Sequence, residues 1–198
     1  MKRITRWQDI RPGAFWCVHG TSWISWAIRW VTGQDWNHCG WVVELRNGEP
    51  WTQEALNTIE VNPLSNYRKE FDRGALAVFQ PDIPPPVLDV MVRSARLRVG
   101  TRYGWLSTLS LAWWLPLNRI AGWFGLQVTT PHRRYKKCSE EDLVAAVEGA
   151  IVADTMRLDV PDLEWAIYVP DREMFTPGDL YDRLTALVSP APAQAVTP

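Results

Sequence analysis

Cysteine is scarce in this chain: Cys17, Cys39 and Cys138 are the whole complement of 198 residues. An odd and sparse set does not build the disulfide framework of a small secreted domain, so reduced thiols are the expectation. Net charge is equally scarce, with 21 Lys and Arg against 22 Asp and Glu and a formal charge of -1. That balance argues against a large nucleic-acid footprint. Long apolar runs are missing too. The longest, Leu109 to Leu117 interrupted by Ser110, is followed at once by Asn118 and Arg119, whereas a spanning helix needs about twenty apolar residues. No transmembrane span is therefore expected. The opening "MKRITRWQDIRPG" is basic but has no apolar h-region, so no secretory signal is read. A cytoplasmic location, or one reached in a virion or by another export route, follows as the expectation. No internal repeat is visible. The pairs Cys17 with His19 and His38 with Cys39 lack finger spacings, and neither a metal nor a cofactor is expected.

What is present is enough apolar material, 46% of residues, for one substantial core. A single domain over residues 1–187 is expected, with residues 188–198, mostly "SPAPAQAVTP", as a disordered tail. "TSWISWAIRWVTG" reads as a helix capped by Thr21 or Ser22 and stopped by Gly33, with Trp23, Ala27 and Trp30 on one face. "HCGWVVEL", "PWTQEAL" and "GALAVFQP" read as strands. "RNGE" between the first two is a hairpin turn, because Asn and Gly accept positive φ. Pro84 to Pro86 open a helix through Val87, Met91, Ala95 and Leu97. After a basic link, "HRRYKKC", the stretch "CSEEDLVAAVEGAIV" has Ser139 and Asp142 at capping-box spacing and a stripe of Leu143, Val147 and Ile151.

This order places His38 on a strand and Cys138 at the start of a helix. A thiol there is favoured as thiolate by the positive end of the helix dipole and by a nearby imidazole, and free backbone N–H groups can receive an oxyanion. Glu140, Glu141 and Asp142 act against the thiolate; Arg133, Arg134, Lys136 and Lys137 act for it. The third member is ambiguous between Glu54 and Gln53. With a two-residue Asn47-Gly48 loop and regular pairing, Gln53 shares the face of His38; a one-residue shift brings Glu54 there instead. The expectation is an odd loop or a bulge that makes that shift.

Taken together, "IRPGA", "NHCGWVVE", "TQEAL", "VGTRYGW", "KCSEEDLV" and "FTPGDLYDRL" resemble, in that order, the circularly permuted branch of the NlpC-type papain-like cysteine hydrolases. The resemblance implies an α+β, papain-like fold, with a small antiparallel sheet packed against helices that include the cysteine helix. It implies Cys138 as nucleophile, His38 as base and Glu54 as the residue orienting the imidazole. Ala14 departs from the pattern, standing where the family carries an aspartate.

The chemistry so implied is thiolate attack on an acyl carbon, with a thioester intermediate. Its substrate would be a peptide or amide, such as those of peptidoglycan stems. Relatives of lecithin retinol acyltransferase make a lipid acyl hydrolase or acyltransferase the alternative, and a non-catalytic binding module of a virion or envelope is the other. Thirteen tryptophans mark the chain. Trp105, Trp113, Trp114 and Trp123 are read either as a helical cover over the site or as a peripheral contact with a bilayer, whose interface favours indoles.

Overall fold

In the computed structural model of the protein, the residues described are 1–56, 58–101, 149–151, 153, 156–164 and 177–188. Among these residues six antiparallel strands form one sheet in the order β1-β6-β2-β3-β4-β5. They are β1 Lys2–Ile4, β2 Phe15–Val18, β3 His38–Arg46, β4 Glu49–Ala55, β5 Ile59–Pro63 and β6 Leu76–Gln80. The helices are α1 Trp23–Thr32, α2 Arg68–Asp72, α3 Pro85–Arg98, α4 Pro161–Glu164 and α5 Pro177–Val188, with residues 149–151 and 153 also helical. The class is α+β. Val188 closes α5 rather than opening a tail, because the apolar positions Leu180, Leu184 and Val188 continue at helical spacing against the core.

Local chemistry sets the element ends. Ser22 caps α1, its hydroxyl accepting from the Ser25 N–H at 3.1 Å. Gly33 ends it in the left-handed conformation, φ 70°. Proline opens α3, whose first turn needs no N–H from it. The β3–β4 turn is the two-residue Asn47-Gly48 loop, with φ of 53° and 82°, as a type I′ hairpin requires.

Each face of the sheet has its own core, as strand alternation dictates. On one side Phe15, Cys17, Trp41, Val43, Ala77 and Phe79 pack against α3, α4, α5 and the buried Ala150 and Ala153. On the other, Trp16, Val18, Val42 and Val78 pack beneath Leu64 and Tyr67 of a 3₁₀ turn, Leu64–Tyr67, and Phe71 of α2. The expected stripe on the cysteine-helix segment is not the buried one at its described end, since Ile151 is 53% exposed. The cause is close approach. A Cβ on Gly149 would stand 2.6 Å from the Met91 sulfur and 2.8 Å from Leu163 Cδ1, so the buried face admits only small side chains.

Candidate functional site

His38 begins β3 and pairs with Val18 of β2. Its side chain shares a sheet face with Gly40 and Val42, above Trp16. Whether Glu54 or Gln53 meets it depends on the hairpin. Arg46 pairs with Glu49, Leu45 with Pro50 and Glu44 with Trp51, but Val42 pairs with Thr52 and Trp41 with Gln53. Val43 is therefore the extra residue of a β-bulge, and it moves β4 by one position. Glu54 comes to the face of His38. Gln53 goes to the other, where it accepts from Trp41 Nε1 at 3.0 Å and donates to the Ala95 carbonyl at 2.9 Å.

The result is a short hydrogen bond, 2.8 Å, between His38 Nε2 and Glu54 Oε2. Glu54 is 2% exposed, and the His38 side chain remains 22% exposed. Two further donors reach the carboxylate: Tyr67 hydroxyl to Oε2 at 2.5 Å and Asn62 Nδ2 to Oε1 at 3.1 Å. Burial alone would push the Glu54 carboxyl up. The His38 bond and charge, with the Tyr67 and Asn62 bonds, outweigh it and hold the carboxyl below its ordinary value. For Tyr67 every influence acts upward: burial first, then the Glu54 charge and bond, then the Glu70 charge. A neutral phenol thus donates to an ionised carboxylate. With Nε2–H committed to that acceptor, Nδ1 is the ring nitrogen left to accept a proton.

The ring is also held by its neighbours. Trp16 meets it edge-on at 5.3 Å between centroids, and Tyr67 lies tilted at 6.2 Å. Trp16 is fixed in turn by its Nε1–H donating to Thr52 Oγ1 at 2.5 Å. An imidazole with one nitrogen anchored, one basic, and its plane confined is equipped to move a proton repeatedly at one place.

Cys138 lies outside the described residues, as do Trp105, Trp113, Trp114, Trp123, His132 and the acids and cations flanking the cysteine. Of the other thiols, Cys17 is fully buried, its Sγ–H donating to the Pro177 carbonyl at 3.7 Å. Cys39 is partly buried against the core of the face opposite His38. Ala14 is buried, and its carbonyl accepts from the Val42 N–H at 2.7 Å. Among the described residues, no three His, Cys, Asp or Glu side chains are grouped to hold a metal ion, and no helix is long and apolar enough to cross a membrane. A cavity of about 330 Å³, bordered by Val61, Ala95 and Val99, opens on the face away from His38.

Asn62 and Tyr67 were not singled out by the sequence. Replacing Tyr67 with Phe removes one charge-assisted bond without changing shape, and is expected to cost about 1.5–3 kcal/mol in urea denaturation. It also removes one of the influences that lower Glu54. The carboxyl pKa, followed by NMR of the side-chain carbon, should rise in Tyr67→Phe; an unmoved value would show that the phenol does not hold the carboxylate.

No protein-family model matches the chain, and no curated protein matches it. Among solved structures it is similar to the metalloprotein YiiX of Escherichia coli O157:H7, a DUF1105 protein, at 18% identity and a TM-score of 0.43. That match covers 76% of this chain and 84% of the other.

Proposed function

We propose that the protein is a cysteine hydrolase of the circularly permuted, NlpC-type papain-like class, acting on a peptide or amide bond such as those of peptidoglycan stems. The observation that carries the reading is the buried Glu54 carboxylate, turned onto His38 Nε2 by a bulge one residue long. A solvated strand glutamate needs no such bulge and no three donors. In this reading Cys138 is the nucleophile. Its thiol proton passes to His38 Nδ1, the thiolate attacks the acyl carbon, and Glu54 stabilises the imidazolium. The C–N bond then breaks as the imidazolium returns the proton to the leaving amine. Water, deprotonated by His38, cleaves the resulting thioester to a carboxylic acid and restores the thiol.

The test is a limiting dose of iodoacetamide on the native protein, followed by peptide mapping. Cys138 should be alkylated ahead of the buried Cys17 and of Cys39, and its rate should fall by about tenfold or more in His38→Ala as its ion-pair partner is lost. Modification of Cys17 or Cys39 first, or a Cys138 rate indifferent to His38→Ala, would favour a non-catalytic module. Incubation with peptidoglycan fragments and with phospholipid, products read by mass, then separates amide hydrolysis from lipid acyl chemistry.

A further inference from the structure

The helix α1 carries an aromatic face that the core does not use. Trp23, Trp26 and Trp30, spaced i, i+3 and i+7, are 78%, 61% and 61% exposed, and Trp26 and Trp30 stack at 6.4 Å. Three indoles aligned on one helix face are far more apolar surface than scattered exposed residues present. The helix that bears them is pinned at both ends. At its start Asn37 accepts from the Gly20 N–H at 2.7 Å and donates to Ser25 Oγ at 3.1 Å, and Arg29 donates to the Gly20 carbonyl. Beyond its end Gln34 lies against Gly178 of α5, and Trp36 stacks on Tyr181 at 4.2 Å. The exposure of these rings is therefore built into a fixed element.

We propose that this face is a docking surface for an anionic lipid bilayer, which α1 meets lying in the interface with its three indoles among the headgroups and upper acyl chains. Residue type is the first argument. Indole has an apolar body and an N–H that stays with water and ester oxygens, which is the chemistry of the interfacial belt rather than of the hydrocarbon centre. Charge is the second. Arg29 is the one charged residue of α1, and no Asp or Glu occurs between Asp9 and Asp35 although the whole chain has 22 acids. A surface helix with an aromatic face and only cationic charge is complementary to acidic headgroups. Asn37, which anchors α1, directly precedes His38, so docking would bring the histidine strand to the membrane surface. The proposal stands apart from the catalytic reading and applies equally to a protein without turnover.

Co-sedimentation of the full chain with vesicles of equal parts phosphatidylcholine and phosphatidylglycerol tests it. The wild type should partition to the vesicles, and Trp23→Ala/Trp26→Ala/Trp30→Ala should partition about tenfold less or weaker still, with an unchanged circular dichroism spectrum. If the triple variant does not fold, Trp23→Ala and Trp30→Ala singly should each weaken binding. Wild type that stays in the supernatant, or variants that bind as the wild type does, would overturn the proposal. So would a wild-type dimer in light scattering that the variants lack, in the absence of vesicle binding, since the face would then serve a second copy of the chain.

Discussion

Glu54→Ala is expected to cost about 3–5 kcal/mol of folding stability, a large share of the roughly 5–15 kcal/mol that a domain possesses. The carboxylate is nearly inaccessible, and three donors converge on it: His38 Nε2, the Tyr67 hydroxyl and the Asn62 amide. Alanine leaves all three without that acceptor and opens a space beside His38 and Tyr67. Glu54→Gln should cost much less. Its Oε1 can replace the oxygen shared by His38 and Tyr67, and Asn62 can turn its own amide oxygen towards the new NH₂. Chemical denaturation of both variants at neutral pH gives the comparison. Equal losses would mean that charge, and not the number of unsatisfied donors, sets the cost.

The same pair of variants fixes the pH dependence. Glu54 has its folded pKa lowered from an unfolded value near 4.5, so its contribution is complete above that value and is lost as pH falls through the folded one. Wild type should therefore lose more stability than Glu54→Gln between neutral pH and the acid side of 4.5. For function the two variants differ in another way. Glutamine still accepts from Nε2–H and keeps the tautomer, but it does not balance an imidazolium. Cys138 alkylation, if it depends on that ion pair, should be slowed in Glu54→Gln without any comparable change in ring orientation, which the His38 NMR resonances report.

Much of this arrangement is legible in the sequence where the determinants are local. The Asn47-Gly48 turn, the Ser22 cap with the Gly33 stop, and the prolines opening α3 each follow from the backbone preferences of two or three residues. The choice between Glu54 and Gln53 also reduces to local arithmetic, although the bulge at Val43 is visible only as a requirement and not as a motif. Non-local features are different. β1 is a three-residue strand at the sheet edge, and β5 ends in Pro63, so neither carries a pattern long enough to stand out. Asn62 and Tyr67 acquire their importance from folding onto Glu54, eight and thirteen positions back. Periodicity likewise finds an aromatic face on α1 but is silent on what meets it, and here Trp23 and Trp30 point away from the core. Leu97 of α3 does the same at 85% exposure. Residue size misleads at Ile151, because close packing at Gly149 selects the small neighbours.

Gly40→Ala is expected to disturb the site from beneath. Gly40 lies two residues beyond His38 on the same face of β3, directly over the buried indole that steadies the histidine. A Cβ there would stand 2.5 Å from Trp16 Cζ2, 2.7 Å from Cε2 and 2.8 Å from the Gln53 carbonyl oxygen. None of these neighbours yields cheaply. Trp16 is fully buried and held through Nε1 to Thr52, and the third contact is backbone of the paired strand. Overpacking of this kind costs about 1–3 kcal/mol, and the backbone contact points to the upper end. The relief open to the structure is a displacement of the indole, which breaks its bond to Thr52 and removes the edge against which His38 rests. Urea denaturation should show the stability loss, and the indole Nε1–H resonance of Trp16 should shift by more than any other tryptophan's. Thr52→Val removes the same acceptor without adding volume, so it should reproduce the resonance shift; its own cost, from the buried Trp16 N–H and Trp41 carbonyl that it leaves unpaired, is about 1–3 kcal/mol. If Gly40→Ala leaves both the resonance and the midpoint in place, Trp16 does not fill the space above Gly40, and the steadying role assigned to it fails with that packing.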